Sequence, residues 1–144
     1  MAAPLIGLLL SRPFQAVDAH VNAALQRAGH SEIRTSHQVV FRLLGPGGAR
    51  LVDLAARALM TKQSMGYLVD HLEAAGYLER VPDPHDRRAK ILQLTFRGRA
   101  VEELARSAIV DLQETWAQQM GAGEFQELLQ LLRRLNIHIS AGGP

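Results

Sequence analysis

Thr61–Ala75 sets Lys62, Gln63, Ser64, Tyr67 and His71 on one side of a helical pattern and Met65, Leu68, Val69 and Leu72 on the other. The polar side carries the chemistry of a base-reading face. A Gln amide pairs with adenine, a Lys ammonium reaches guanine or phosphate, and a Ser hydroxyl serves either. The helix N-terminus adds a preference for phosphate. A solvated helix face holds similar residues, so its neighbours decide the reading. A short helix precedes it, and the polar, proline-bearing stretch Pro82–Ala89 follows with Arg87 and Arg88, and Lys90 just beyond. Arg is the side chain that enters narrow minor grooves, where the negative potential is deepest. Asp86, two positions before Arg88, is spaced to support it by holding its guanidinium.

These residues need a frame to hold them. The apolar positions Ile6, Leu9, Leu10, Phe14, Val17, Val21 and Leu25 predict a helix from Leu5 to about Arg27, kinked at Pro13 or restarted after Ser11. Thr35 and Gln38 have capping-box spacing for a helix ending at Leu44. Leu51, Leu54, Ala55 and Ala58 mark another short helix, and Thr61 caps the reading helix, which Gly76 closes. Tyr77–Val81 and Ile91–Thr95 read as strands around an exposed hairpin tip. Thr95 caps a long helix with Val101, Leu104, Ala105, Ala108, Ile109, Leu112 and Trp116 on its stripe. Gly121 and Gly123 break it, and Phe125, Leu128, Leu129, Leu132 and Leu135 mark the last helix. The fold class is mainly α: a winged helix-turn-helix with a two-stranded β wing, flanked by N- and C-terminal helices.

Composition excludes much else. With 144 residues, 47% of them hydrophobic, the chain suits one cored domain. Net charge is only +2, but Glu79–Arg99 holds six basic residues against three acids, whereas acids prevail after Ala100. The lack of cysteine removes disulfides, thiolate metal sites and thiol redox sensing. The histidines (His20, His30, His37, His71, His85 and His138) form no i, i+4 pair or zinc spacing, so neither metal nor cofactor is expected. Gly45-Pro46-Gly47-Gly48 lacks the Lys-Ser/Thr of a phosphate loop, and no catalytic triad or acid pair stands out. An enzyme is therefore not expected. The apolar run Leu5–Leu10 is too short to span a bilayer, and a soluble cytoplasmic protein is expected. Phe14, His37 and Phe41 are candidates to line a pocket between helices, although such positions usually serve as core.

The stretch from Leu51-Val52-Asp53-Leu54-Ala55 through Leu68–Glu73, Gly76–Arg80 and Asp83-Pro84-His85-Asp86-Arg87-Arg88-Ala89-Lys90 to Leu94-Thr95 and Gly98-Arg99 resembles the multiple-antibiotic-resistance-regulator (MarR) family. With the flanking helices the likeness covers nearly the whole chain. The resemblance implies a homodimer held by residues 1–30 and 100–144. Residues 31–99 form its winged helix-turn-helix region on pseudo-palindromic double-stranded DNA. It also implies a repressor released by a small aromatic or phenolic ligand. Three positions depart from the family pattern: Leu59 stands where the turn often carries Gly, Tyr67 where Arg is frequent, and there is no sensing Cys. A winged helix used only for protein–protein contact is the alternative.

Overall fold

A computed structural model describes residues 4–142. The elements are α1 (Ile6–Arg27), a 3-10 turn (Thr35–His37), α2 (Gln38–Leu44), α3 (Leu51–Arg57), α4 (Lys62–Ala74), β1 (Leu78–Asp83), β2 (Asp86–Leu94), α5 (Phe96–Met120) and α6 (Ala122–Ser140). The chain up to Ala108 makes one compact unit and the chain from Ile109 onward a second, with α5 running through the boundary. The predicted mainly helical winged fold is the observed one.

The core of the first unit gathers Ile33, Val40, Leu44, Leu54, Met65, Val69, Leu72, Tyr77, Leu92 and Val101, all nearly inaccessible, with Val21 and Leu25 from α1. Each large aliphatic side chain removed from water contributes about 1.5–3 kcal/mol. Such burial holds short helices that would not persist alone. α1 neither stops nor restarts at Pro13: it runs unbroken from Ile6 to Arg27. Its first half, including Leu8, Leu9, Leu10 and Phe14, is exposed.

The expected Thr35/Gln38 capping box is displaced by one residue. His37 Nδ1 accepts the Arg34 backbone N–H at 2.9 Å, while the Gln38 amide donates to the Asp18 carbonyl at 3.0 Å. The imidazole thus takes the amide role, and Thr35 opens a 3-10 turn instead.

Between α3 and α4 the chain reverses through Leu59, whose φ is +54°. This left-handed conformation costs an L-residue roughly 1–2 kcal/mol. Its side chain is 95% exposed and recovers nothing by packing. Thr61 then caps α4, its Oγ1 accepting the Ser64 backbone N–H at 3.0 Å.

The hairpin is longer and tighter than predicted. β1 and β2 pair antiparallel from Leu78↔Leu94 to Pro82↔Lys90 and again at Asp83↔Asp86, so only Pro84 and His85 form the turn. Arg87, Arg88 and Ala89 have no register partners and form a bulge. Asp83, expected in an exposed tip, is buried. Arg50, just before α3, explains this: its Nε donates to Asp83 Oδ2 at 2.8 Å, while Asp83 Oδ1 accepts the His85 N–H at 2.8 Å. The His85 amide, then the Arg50 guanidinium, hold the Asp83 carboxyl below its ordinary range. The lock is therefore complete above the ordinary carboxylate pKa and is lost only as pH falls through the lowered value. Ala49 adds an isolated bridge, exchanging backbone bonds with Leu92 at 3.2 and 2.8 Å. A Cβ on the preceding Gly48 would lie 2.4 Å from the Leu92 carbonyl oxygen.

Thr95 joins the hairpin to α5. Its hydroxyl donates to the Gly76 carbonyl at 2.6 Å and accepts the Gly98 N–H at 3.1 Å. A Cβ at Gly98 would stand 2.1 Å from the Tyr77 carbonyl oxygen, so the first turn of α5 fits against the Tyr77 backbone only with glycine there. In the second unit the helix breaks at Gly121 alone. Gly123, predicted to share the break, lies inside α6.

Two outcomes follow for stability. Leu59→Gly relieves the left-handed strain but gives the unfolded chain about 0.5–1 kcal/mol of extra entropy. The net is a gain of about 0.5 kcal/mol, about 1–2 °C in Tm by calorimetry; a fall in Tm would show that the leucine is held by packing. Arg50→Ala leaves Asp83 without its cation, so trypsin should cut at Arg87 and Arg88 severalfold faster than in the wild type, with α-helical content unchanged by circular dichroism. Equal cutting rates would show that Arg50 does not hold the hairpin.

Candidate nucleic-acid interface

The geometry of α4 separates a buried face from a presenting one. Met65, Val69 and Leu72 are fully inside and Leu68 is half-buried, while Lys62, Gln63, Ser64, Tyr67 and His71 lie on the exposed side. Helix period alone produces this division. Among the described residues, no side-chain hydrogen bond or ion pair engages Lys62, Gln63 or Tyr67. The Ser64 hydroxyl accepts from Thr61 Oγ1 at 2.9 Å, which leaves its own proton to donate outward.

His71 behaves differently from the rest of its face. Its Nε2 meets the Glu32 carbonyl at 3.1 Å, and its ring stacks on buried His37 with centroids 4.6 Å apart and planes 12° apart. It is turned back toward the connection before α2.

The acids of α4 are neutralised from the adjoining strand. Arg80 of β1 reaches Asp70 at 2.9 Å and Glu73 at 3.1 Å. The charge left on the exposed side is then Lys62 together with Arg87, Arg88 and Lys90 of the hairpin, all exposed. Such a cluster attracts a polyanion.

Asp86 supports Arg88 in a way the spacing did not foresee. Its Oδ1 accepts the Arg88 backbone N–H at 3.0 Å, and its Oδ2 lies 3.7 Å from the Arg50 guanidinium. A short aspartate reaches the amide two residues on in an Asx turn, which leaves the Arg88 guanidinium free to point outward. Arg50 and Asp83 are the residues that sequence reasoning missed. They are 33 positions apart, and no local spacing links them.

The candidate pocket residues each have a different ring or cation against them. Phe14 is half-exposed, with the Arg42 guanidinium 4.7 Å above its ring and Arg42 paired to Asp18 at 2.6 Å. His37 stacks on His71, and Phe41 meets Tyr77 edge-on at 6.4 Å. No described helix is long and apolar enough to cross a membrane.

With this geometry in view, comparison with known proteins is informative. Residues 33–89, which span α2 to the hairpin, match the MarR family profile. The HTH-type transcriptional regulator MhqR of Bacillus subtilis (strain 168) is 30% identical over 91 residues, 63% of this chain and 61% of that protein. The aligned region thus spans about three fifths of that curated relative. Among solved structures, the Mycobacterium tuberculosis MarR family protein Rv2887, in complex with salicylic acid, is 29% identical with a TM-score of 0.69, covering 93% of this chain and 97% of the other. The transcriptional repressor CouR, bound to a 23-mer DNA duplex, is 25% identical with a TM-score of 0.70, covering 92% of both. A matched profile over residues 33–89 and a shared fold over nearly the whole chain lead to one conclusion: this protein has a winged helix-turn-helix fold similar to that of MarR family proteins.

Proposed function

We propose that this protein is a transcription regulator that grips duplex DNA as a homodimer, acts as a repressor, and is released by a small aromatic acid. One observation carries the reading: α4 offers Lys62, Gln63, Ser64 and Tyr67 beside a hairpin whose Arg87, Arg88 and Lys90 are all exposed. In this reading α4 enters the major groove and the bulged hairpin tip reaches the minor groove. CouR on its DNA duplex supports the DNA partner, and Rv2887 with salicylic acid supports the ligand class. Residues 31–99 are the reading region, and the flanking segments 1–30 and 100–144 assemble the dimer.

Each flank leaves apolar surface open. On α1, Ile6, Leu8 and Leu9 are more than half exposed; on α6, Leu131 and Ile137 are as well. Surfaces of this kind are seldom left to water by a small monomer, and a two-fold partner covers them symmetrically.

Two measurements test the reading. Light scattering at micromolar concentration should give twice the chain mass; a monomer would remove the dimer and with it the palindromic target. The second uses DNA selected by the protein from a random pool. Arg88→Ala should weaken binding to selected and random duplex alike and lower the salt slope by about one unit, as expected when one phosphate is no longer neutralised. Gln63→Ala should relax preference at one base pair per half-site, at about 1–3 kcal/mol. An Arg88→Ala protein with unchanged affinity and salt slope would take the hairpin out of the interface.

A further inference from the structure

The stacked histidines raise a question that DNA binding does not answer. His37 Nδ1 accepts the Arg34 N–H, so its proton when neutral sits on Nε2. His71 Nε2 faces a carbonyl, which can only accept, so Nε2 of His71 carries the proton. Both tautomers are thereby fixed. One ring belongs to the connection between α1 and α2, the other to the last turn of α4, and their faces touch.

We propose that His37 and His71 form a proton-sensitive latch that positions the recognition helix, with His71 acting as a positioning residue and not as a contact to DNA. A proton added to His37 must go to Nδ1, where it would point at the Arg34 N–H and break that bond. The lost bond loosens the connection, and with it the ring on which His71 in the last turn of α4 stacks. Burial first, then the charges of His71 and Arg34, hold the His37 pKa below its ordinary value. The latch is therefore intact above the ordinary histidine pKa near 6.5 and is lost as pH falls through the lowered His37 value.

The surrounding charges offer no compensation. On the connection, Arg34 adds positive charge, and the Glu32 carboxylate is taken by Arg97 of α5 at 2.8 Å and the Tyr77 hydroxyl at 3.2 Å, with His30 also on that hydroxyl. Asp18 of α1 is paired with Arg42 of α2, and Asp70 and Glu73 of α4 with Arg80 of β1. None of these carboxylates bonds either imidazole among the described residues.

The inference rests on the DNA-binding reading, and its sign sets it apart. A histidine touching phosphate tightens binding when it gains a proton, whereas this latch loosens it. Anisotropy titrations of the selected duplex at fixed ionic strength, from pH 7.5 to 5.0, give the readout. For the wild type we expect affinity to fall by about tenfold over that range. Asparagine places its carbonyl oxygen where Nδ1 sits, so His37→Asn keeps an acceptor for Arg34 but cannot titrate; its profile should be nearly flat. His71→Gln retains a donor for the Glu32 carbonyl and should flatten the profile too, whereas His71→Ala should bind more weakly throughout. Wild-type binding that tightens on acidification, or a His37→Asn profile parallel to wild type, overturns the latch. If no duplex is bound at any pH, the function proposed above fails, and melting temperatures decide the latch alone. The wild type should then lose more stability than His37→Asn between pH 6.5 and 5.0, and equal losses would overturn it.

Discussion

Tyr77 is wholly buried, and its phenol oxygen is where the α1–α2 connection, the start of β1 and the start of α5 meet. The hydroxyl donates to Glu32 and accepts from Arg97 at 2.9 Å, so His30 Nδ1, also at 2.9 Å, must be a donor. The Arg97 guanidinium also lies 4.3 Å above the phenol ring. Burial pushes the Tyr77 pKa up, which keeps the group a neutral donor. The backbone takes part as well: the Tyr77 carbonyl accepts the Thr95 N–H at 3.1 Å, and Gly98 must pass close beside it. A buried hydroxyl without partners costs roughly 1–3 kcal/mol, so this set of bonds constrains where every one of those segments can lie.

From that point outward the reading head is assembled by contacts between segments far apart in the chain. Arg97 also donates to the Ala75 carbonyl at 2.7 Å, joining α5 to the end of α4. Arg80 holds α4 from the strand side, Arg50 holds the hairpin from the start of α3, and the Ala49–Leu92 bridge widens its base. These arginines are partnered; those at the hairpin tip, Arg87 and Arg88, are not seen in any side-chain ion pair among the described residues. The same residue type is therefore divided by position into structural cations and presented ones.

What is legible in the sequence follows the reach of each interaction. Helix period exposes both faces of α4, and the one-turn hydroxyl caps at Thr61 and Thr95 can be read because both partners lie within three residues. Thr35 misleads because the box closes one residue earlier, where His37 accepts the Arg34 N–H. Pro13 suggests a kink or a fresh start, and the helix does not start afresh there. Arg50–Asp83, His37–His71 and Arg97–Glu32 join positions 33, 34 and 65 residues apart, and no local pattern carries that information. Asp83 looks like a tip residue by its type and by its proline neighbours, and the His85 amide together with the distant Arg50 guanidinium offsets its burial.

The bulge in β2 separates two kinds of sequence freedom. Residues up to Pro82 and from Lys90 onward are committed to the ladder, and Asp83 and Asp86 to the closing pair. Arg87, Arg88 and Ala89 are not bound by register, so their side chains can be exchanged without disturbing strand pairing. Substitutions at these three positions therefore alter the charge carried by the hairpin tip while the paired scaffold beneath it stays as it is.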